Sequence, residues 1–195
     1  LLFAGAKTFR HSLLNQGFDT EEVSISGDSD IPGYINILVI SDMNKALTPE
    51  EMAKLNRYIE RGGNLLIAAG AGKQDIMNPI VESLGVRFLP GVLVQKKVDI
   101  LPNSMMLTAV PETVKELSYH YEFMWLVRKF KVNMKDAVGL DYTTDKGFTV
   151  RELLRTDSTG CWNEMETRDF VNDTVVLNPA AGEVERMYPT ALALS

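Results

Sequence analysis

The chain has 195 residues, 45% of them hydrophobic, and a formal charge of −6. That length suits one domain of ordinary size with its own core, and a sequence pI near 5.0 argues against nucleic acid, because phosphate binding needs a basic face. Cys161 is the single cysteine, so no internal disulfide can form, and no apolar run approaches the roughly 20 residues of a membrane helix.

The first elements alternate. "KTFRHSLLNQG" places Phe9 and Leu13 on one helical face, with Gly17 as a left-handed stop. "EEVSIS" alternates as a strand with Val23 and Ile25 on one side, and the turn-rich "SGDSDIPG" follows. "YINILVIS" is a nearly continuous apolar strand, the pattern of burial on both faces of a parallel sheet.

"LTPEEMAKLNRYIERGG" is the best-specified helix. Thr48 fits the N-cap and Pro49 the first helical position. Glu51 completes a capping box with Thr48, and Leu47 can staple to Met52. Met52, Leu55 and Ile59 form the expected buried stripe, and Gly62 and Gly63 end it. Strand "NLLIAA" leads into a small-residue turn. Asp75 or Asn78 then caps a helix that carries Pro79 in its first turn and stops near Gly85.

This order predicts an α/β fold with a doubly wound, mostly parallel sheet flanked by helices. The second half reads as irregular and β-rich. "VRFLPGVLVQKKVDIL", "FKVNMKDAVGLDYT" and "GFTVRELLRT" are its expected strands, and "PETVKELSYHYEFMWLVRK" holds a helix and then a strand. "YPTALALS" reads as a strand that stops abruptly. With a start at Leu1 rather than Met, it suggests that residues 1–195 are a single α/β domain cut from a longer chain, with a sheet edge that another strand would pair.

Residues 64–75, "NLLIAAGAGKQD", run from an apolar strand through a glycine turn to a lysine, as phosphate loops and nucleophile elbows do. A Walker loop needs four residues between its glycines and a Ser/Thr after the lysine. Here one residue separates Gly70 from Gly72, and Gln74 follows Lys73. An elbow needs a nucleophile on the turn, and Ala69-Gly70-Ala71-Gly72 offers none. A tight strand-to-helix turn is the better reading.

Cys161 could act as a displaced nucleophile if His11 or His120 lay beside it, but a lone cysteine more often behaves as an inert, buried small hydrophobe. Asp28 and Asp30 in "GDSD" lack the later ligands of a calcium loop and read as a turn. Asp42 ends an apolar strand, where α/β sheets bind ligands. It serves equally as a cap on the local turn with Asn44, which is the favoured reading. Ser41, Asp42 and Gly70 together mark the candidate ligand cleft. No metal or cofactor site emerges from these patterns.

With these residues placed, "INILVISDMNKALTPEEMAKLNRYIERGGNLLIAAG" resembles the auxiliary component of gliding-motility-type, otherwise uncharacterised ABC transport systems. The resemblance rests on Leu47-Thr48, Glu50-Glu51, Tyr58-Ile59, Gly62-Gly63 and Leu65-Leu66, and "YPTALALS" extends it. It implies a class I glutamine amidotransferase-like fold without catalytic residues or cofactor. It also implies a place on the extracytoplasmic face of the bacterial inner membrane, tethered by segments outside these residues. An ABC permease and a separate ATPase subunit would be the partners. Two other classes remain open: an amidotransferase-like hydrolase using Cys161, and a sugar- or small-ligand-binding module using the cleft at Ser41, Asp42 and Gly70.

Overall fold

The capping box at Thr48 forms. In the computed structural model, which describes residues 17–97, 99–117 and 131–195, the Thr48 side chain accepts from the Glu51 N–H at 3.2 Å, and the Glu51 carboxylate accepts from the Thr48 N–H at 2.8 Å. Helix α1 (Pro49–Glu60) follows with Pro at its start. Its buried face is Leu55, Tyr58 and the stem of Lys54. Met52 and Ile59 are only half-buried, so the inward stripe is rotated from the one expected. Gly62, with φ of 87°, supplies the left-handed turn that ends α1. Gly63 is needed for a different reason: a Cβ there would run into the Tyr58 ring.

Two compact units divide the chain, Leu1–Leu38 with Leu47–Leu65, and Val39–Ala46 with Leu66–Ser195. The boundary passes through the paired strands β1 (Ile37–Ser41) and β2 (Asn64–Ala68). In the larger unit come α2 (Gln74–Val81), β3 (Val86–Phe88), β4 (Val92–Gln95), β5 (Ser104–Ala109) and α3 (Pro111–Leu117). They are followed by β6 (Lys131–Lys135), β7 (Leu140–Tyr142), β8 (Val150–Arg155), β9 (Cys161–Glu164) and β10 (Pro189–Leu194).

The expected doubly wound, mostly parallel, amidotransferase-like sheet does not form. The described residues hold ten strands and three short helices. The four-stranded sheet, in the order β10-β8-β5-β6, is antiparallel throughout, as are the ribbons β3–β7 and β4–β9. Parallel neighbours need crossover connections of a dozen or more residues, usually helical. From β5 onward, the described residues supply one seven-residue helix, α3. Nor is β1 buried on both faces: Ile40 is buried, whereas Ile37 is 48% exposed.

Other expectations shift for local reasons. "EEVSIS" joins no ladder; its Ile25 carbonyl accepts from the Lys54 ammonium. Helix α2 starts at Gln74 without a side-chain cap, and Pro79 lies inside it. Asn78 is no cap. Its side chain accepts from the Phe88 N–H at 2.8 Å and donates to the Phe88 carbonyl at 3.1 Å, fastening α2 to β3. Strands β5 and β9 arise where none was expected. The predicted first helix at 7–17 lies outside the described residues except Gly17, as does the second part of "PETVKELSYHYEFMWLVRK".

The core of the larger unit gathers Leu93, Met105, Leu107, Ala137, Cys161 and Tyr188, with Leu89, Met134 and Leu154 against it. Strand β4 sits in this core with all four residues buried. Gly91, with φ of 84°, admits the close approach of β9: a Cβ there would meet the Glu164 carbonyl oxygen at 2.5 Å. No described helix is long and apolar enough to cross a membrane.

Candidate functional site

The structure brings two of the three predicted cleft residues together. Asp42, at the end of β1 with φ of 42°, donates its N–H to the Ala68 carbonyl at 3.1 Å. Its carboxylate accepts from the Gly70 N–H at 2.7 Å. Lys73 donates its ammonium to the Asn44 side chain, also at 2.7 Å. Ser41, at the end of β1, is exposed.

This geometry shows how the turn resembles a phosphate loop in sequence and differs from one in its hydrogen bonding. A phosphate loop directs backbone N–H groups at an external anion. Here the Gly70 N–H already holds an anion, the Asp42 carboxylate. The lysine that would reach a phosphate is committed to Asn44.

Cys161 lies in β9 opposite Gln95 and is 2% exposed. Burial pushes its thiol up, reinforced by the neighbouring Asp157 charge. A raised thiol is a poor nucleophile at neutral pH. His11 and His120 lie outside the described residues. Among the described residues, no group of three or more His, Cys, Asp or Glu is placed to hold a metal.

The "GDSD" turn is part of a clamp built by α1. Lys54, Arg57 and Arg61 share one helical side at spacings of three and four. Lys54 donates to the Ile25 carbonyl at 3.1 Å and to the Gly27 carbonyl. Arg57 grips Asp30 through both oxygens, and that ion pair holds the Asp30 carboxyl below the usual range. Arg61 reaches the carbonyls of Ile31 and Pro32 at 2.7 and 2.8 Å. Asp30 is thus a structural partner of Arg57.

A polar network at the end of β9 escaped sequence reasoning. Glu164 is 1% exposed and Glu183 2%. Glu164 accepts from the Trp162 indole at 3.2 Å, the Glu166 N–H at 3.1 Å and the Thr167 N–H at 2.8 Å. Burial works to raise its pKa, but these donors, together with a hydrogen bond from the neighbouring Glu183 side chain, prevail and hold it below the ordinary value. Glu183 accepts from the Met165 N–H at 2.9 Å and the Asn178 N–H at 2.6 Å. Asn163 accepts from the Val184 N–H and the Tyr188 hydroxyl, both at 2.9 Å. The one sequence signal was an acidic residue two positions after Trp162.

A groove of about 370 Å³ lies beside the β3–β7 ribbon, lined by Glu82, Gly85, Arg87, Tyr142, Thr143 and Lys146 among others. Gly85, with φ of 80°, lets the Thr143 N–H reach its carbonyl at 2.8 Å. The charges along the groove have both signs, and Arg87 already faces Glu82 at 3.6 Å.

Comparison with known proteins bears on fold and family. The solved mmIFT52 N-terminal domain is similar to 69% of this chain at 14% identity, with a TM-score of 0.50. The chain matches 62% of that structure's length, and at this identity the likeness is one of fold alone. No curated protein matches the sequence. The sequence model of the family described as "ABC-type uncharacterized transport system" matches residues 4–120, more than half of the chain. On that match, the chain belongs to the auxiliary family of the ABC-type uncharacterized transport systems.

Proposed function

We propose that the chain is a non-catalytic accessory domain of an ABC transport system, acting by contact with the system's membrane partner on the extracytoplasmic face. The family match over residues 4–120 carries this reading. The geometry supports it in two places. The turn that could have held a phosphate is closed by Asp42, and the thiol that could have attacked a substrate is buried in the core. An ABC permease and a separate ATPase subunit are the partners this reading names. The gliding-motility type of system is its finest form.

Affinity purification of the tagged protein from detergent-solubilised membranes of its native cells tests the reading. Recovery of a permease and an ATPase subunit in fixed proportion is the expected result. Recovery of the protein alone, under conditions that keep other ABC complexes intact, overturns it. Labelling of intact cells with a membrane-impermeant amine reagent tests the location separately.

The groove beside the β3–β7 ribbon favours a second reading, a small-ligand-binding module. Its volume is within the range of ligand clefts. With Glu82, Asp141 and Asp145 set against Arg87 and Lys146, the groove suits neutral polyols or sugars better than polyanions. Loss of saturation-transfer signals from oligosaccharides in Tyr142→Ala would support that reading, and absence of signals in the wild type would remove it.

A further inference from the structure

Strand β6 ends the four-stranded sheet, and among the described residues it pairs with β5 alone. The ladder shows which of its backbone groups are left over. Directly opposite residues of an antiparallel pair alternate between exchanging both N–H···O bonds and exchanging neither. Asp136, just past β6, donates its N–H at 3.0 Å to the carbonyl of Asn103, the residue opposite it in this register. By the alternation, Met134 and Val132 are bonded to β5, and Lys131, Asn133 and Lys135 turn their N–H and C=O groups outward. Strand β5 agrees. Ser104 and Met106, opposite Lys135 and Asn133, turn theirs the other way. There the Gln95 side chain donates to the Ser104 carbonyl and accepts from the Met106 N–H at 3.3 Å.

The side chains divide along the same alternation. Val132 and Met134 lie opposite the buried Leu107 and Met105 and carry the core face to the rim of the sheet, where Val132 is 42% exposed. Lys131, Asn133 and Lys135 share the other face and are exposed. Lys131 shares the Asp157 carboxylate with Lys97, at 3.3 and 3.5 Å. Among the described residues, Lys135 takes part in no ion pair, and the carboxylate of Asp136 beside it accepts from the Asn103 side chain at 2.6 Å. In a chain of net charge −6, β6 carries a lysine at each end and no acid.

Lysines on an edge strand guard against pairing with like edges. Two copies of β6 laid antiparallel about Asn133 would set Lys131 against Lys135 at both ends, and like charges directly opposite are destabilising. A strand with acids at those two positions meets the reverse situation. Apolar residues between the acids would cover Val132 and Met134.

We propose that the open edge of β6 is a docking site for an extended segment of another protein, with acidic residues facing Lys131 and Lys135 and apolar residues facing Val132 and Met134. The segment adds a fifth strand to the four-stranded sheet. The outward backbone groups of residues 131, 133 and 135 hold it, and the flanking side chains select it.

Amide exchange followed by NMR on the full chain tests the proposal, with a blocked Glu-Val-Thr-Ile-Glu peptide as the probe. In the free protein, the amides of Asn133 and Lys135 should exchange faster than those of Val132 and Met134. The peptide should slow them. Its counterpart with lysine in place of both glutamates should bind about tenfold more weakly, and high salt should narrow that difference. Lys135→Glu should bring the two affinities together. Asn133→Pro removes an outward N–H that an edge strand can spare and should abolish binding. Equal protection of residues 132–135 in the free protein would mean that the edge is already covered, and would overturn the proposal. No response to millimolar peptide, or equal binding of both peptides to the wild type, would also overturn it. A dimer of the free chain that Asn133→Pro dissolves would assign the edge to a second copy instead. If Asn133→Pro does not fold, the Lys135→Glu comparison still decides.

Discussion

Replacing Lys54 by Met removes an ammonium and keeps the buried stem. Lys54 is 8% exposed, and its ammonium donates to the carbonyls of Ile25 and Gly27, in a segment without a ladder of its own. Hydrogen bonds to charged groups contribute about 1.5–3 kcal/mol each in favourable settings. The full sum does not apply here. Residues around Ile25 and Gly27 are largely exposed, so water recovers part of what the carbonyls lose. A loss of about 2–3 kcal/mol is the expected result, equivalent to roughly 4–12 °C in melting temperature for a chain of this size. Thermal unfolding followed by circular dichroism measures it. Arg57→Ala is the control, because its pair with Asp30 is exposed and should matter little. A Lys54→Met protein that melts with the wild type would refute the claim that this ammonium ties residues 25–27 to α1.

Thr48→Ala should cost about 1 kcal/mol by chemical denaturation, since it removes the hydroxyl that accepts from the Glu51 N–H and leaves only the bond from the residue 48 N–H to the Glu51 carboxylate. Gly63→Val should destabilise more than Gly62→Ala, because the first drives a side chain into the Tyr58 ring and the second only strains a turn; melting curves of the two variants rank them. Cys161 should resist alkylation by iodoacetamide at pH 7.5 in the folded protein and react at once in denaturant, as a buried and raised thiol must. Glu164 has a depressed folded pKa, so its contribution to stability is complete above the unfolded carboxylate value of about 4.3 and is lost as pH falls through the lower folded value. The acid limb of a stability–pH curve should therefore flatten in Glu164→Gln.

What was legible in the sequence was local. The capping box involves residues three apart, so "TPEE" reveals it without knowledge of the fold. The strands at 86–95 and 189–194 show in composition, and both form. What was not legible depends on partners remote in the chain. The spacing of Lys54, Arg57 and Arg61 reads as a solvated helix face until residues 25–32 are known to lie against it. Glu164 is indistinguishable from a surface glutamate until Glu183 and residues 165–167 are placed. The error in fold class had a related cause. The run "ILVI" was read as burial on two faces, a property of a strand's neighbours more than of the strand. With Ile37 half exposed and the later strands paired antiparallel, that run carried no information about sheet direction.

The turn at residues 68–73 shows how composition and connectivity part company. Small residues after an apolar strand allow a close approach of something to the backbone, and in nucleotide-binding proteins that something is a phosphate. Here it is Asp42, delivered by the neighbouring strand β1. The same electrostatic logic operates, with a backbone N–H meeting a negative charge, but the charge belongs to the chain. An external anion would have to displace a carboxylate already held at 2.7 Å and tolerate its charge nearby. Lys73, the cation that might have offset this, is turned toward Asn44. The turn is therefore built to be complete without a ligand. That is in keeping with the accessory role proposed above, which asks no nucleotide chemistry of this turn.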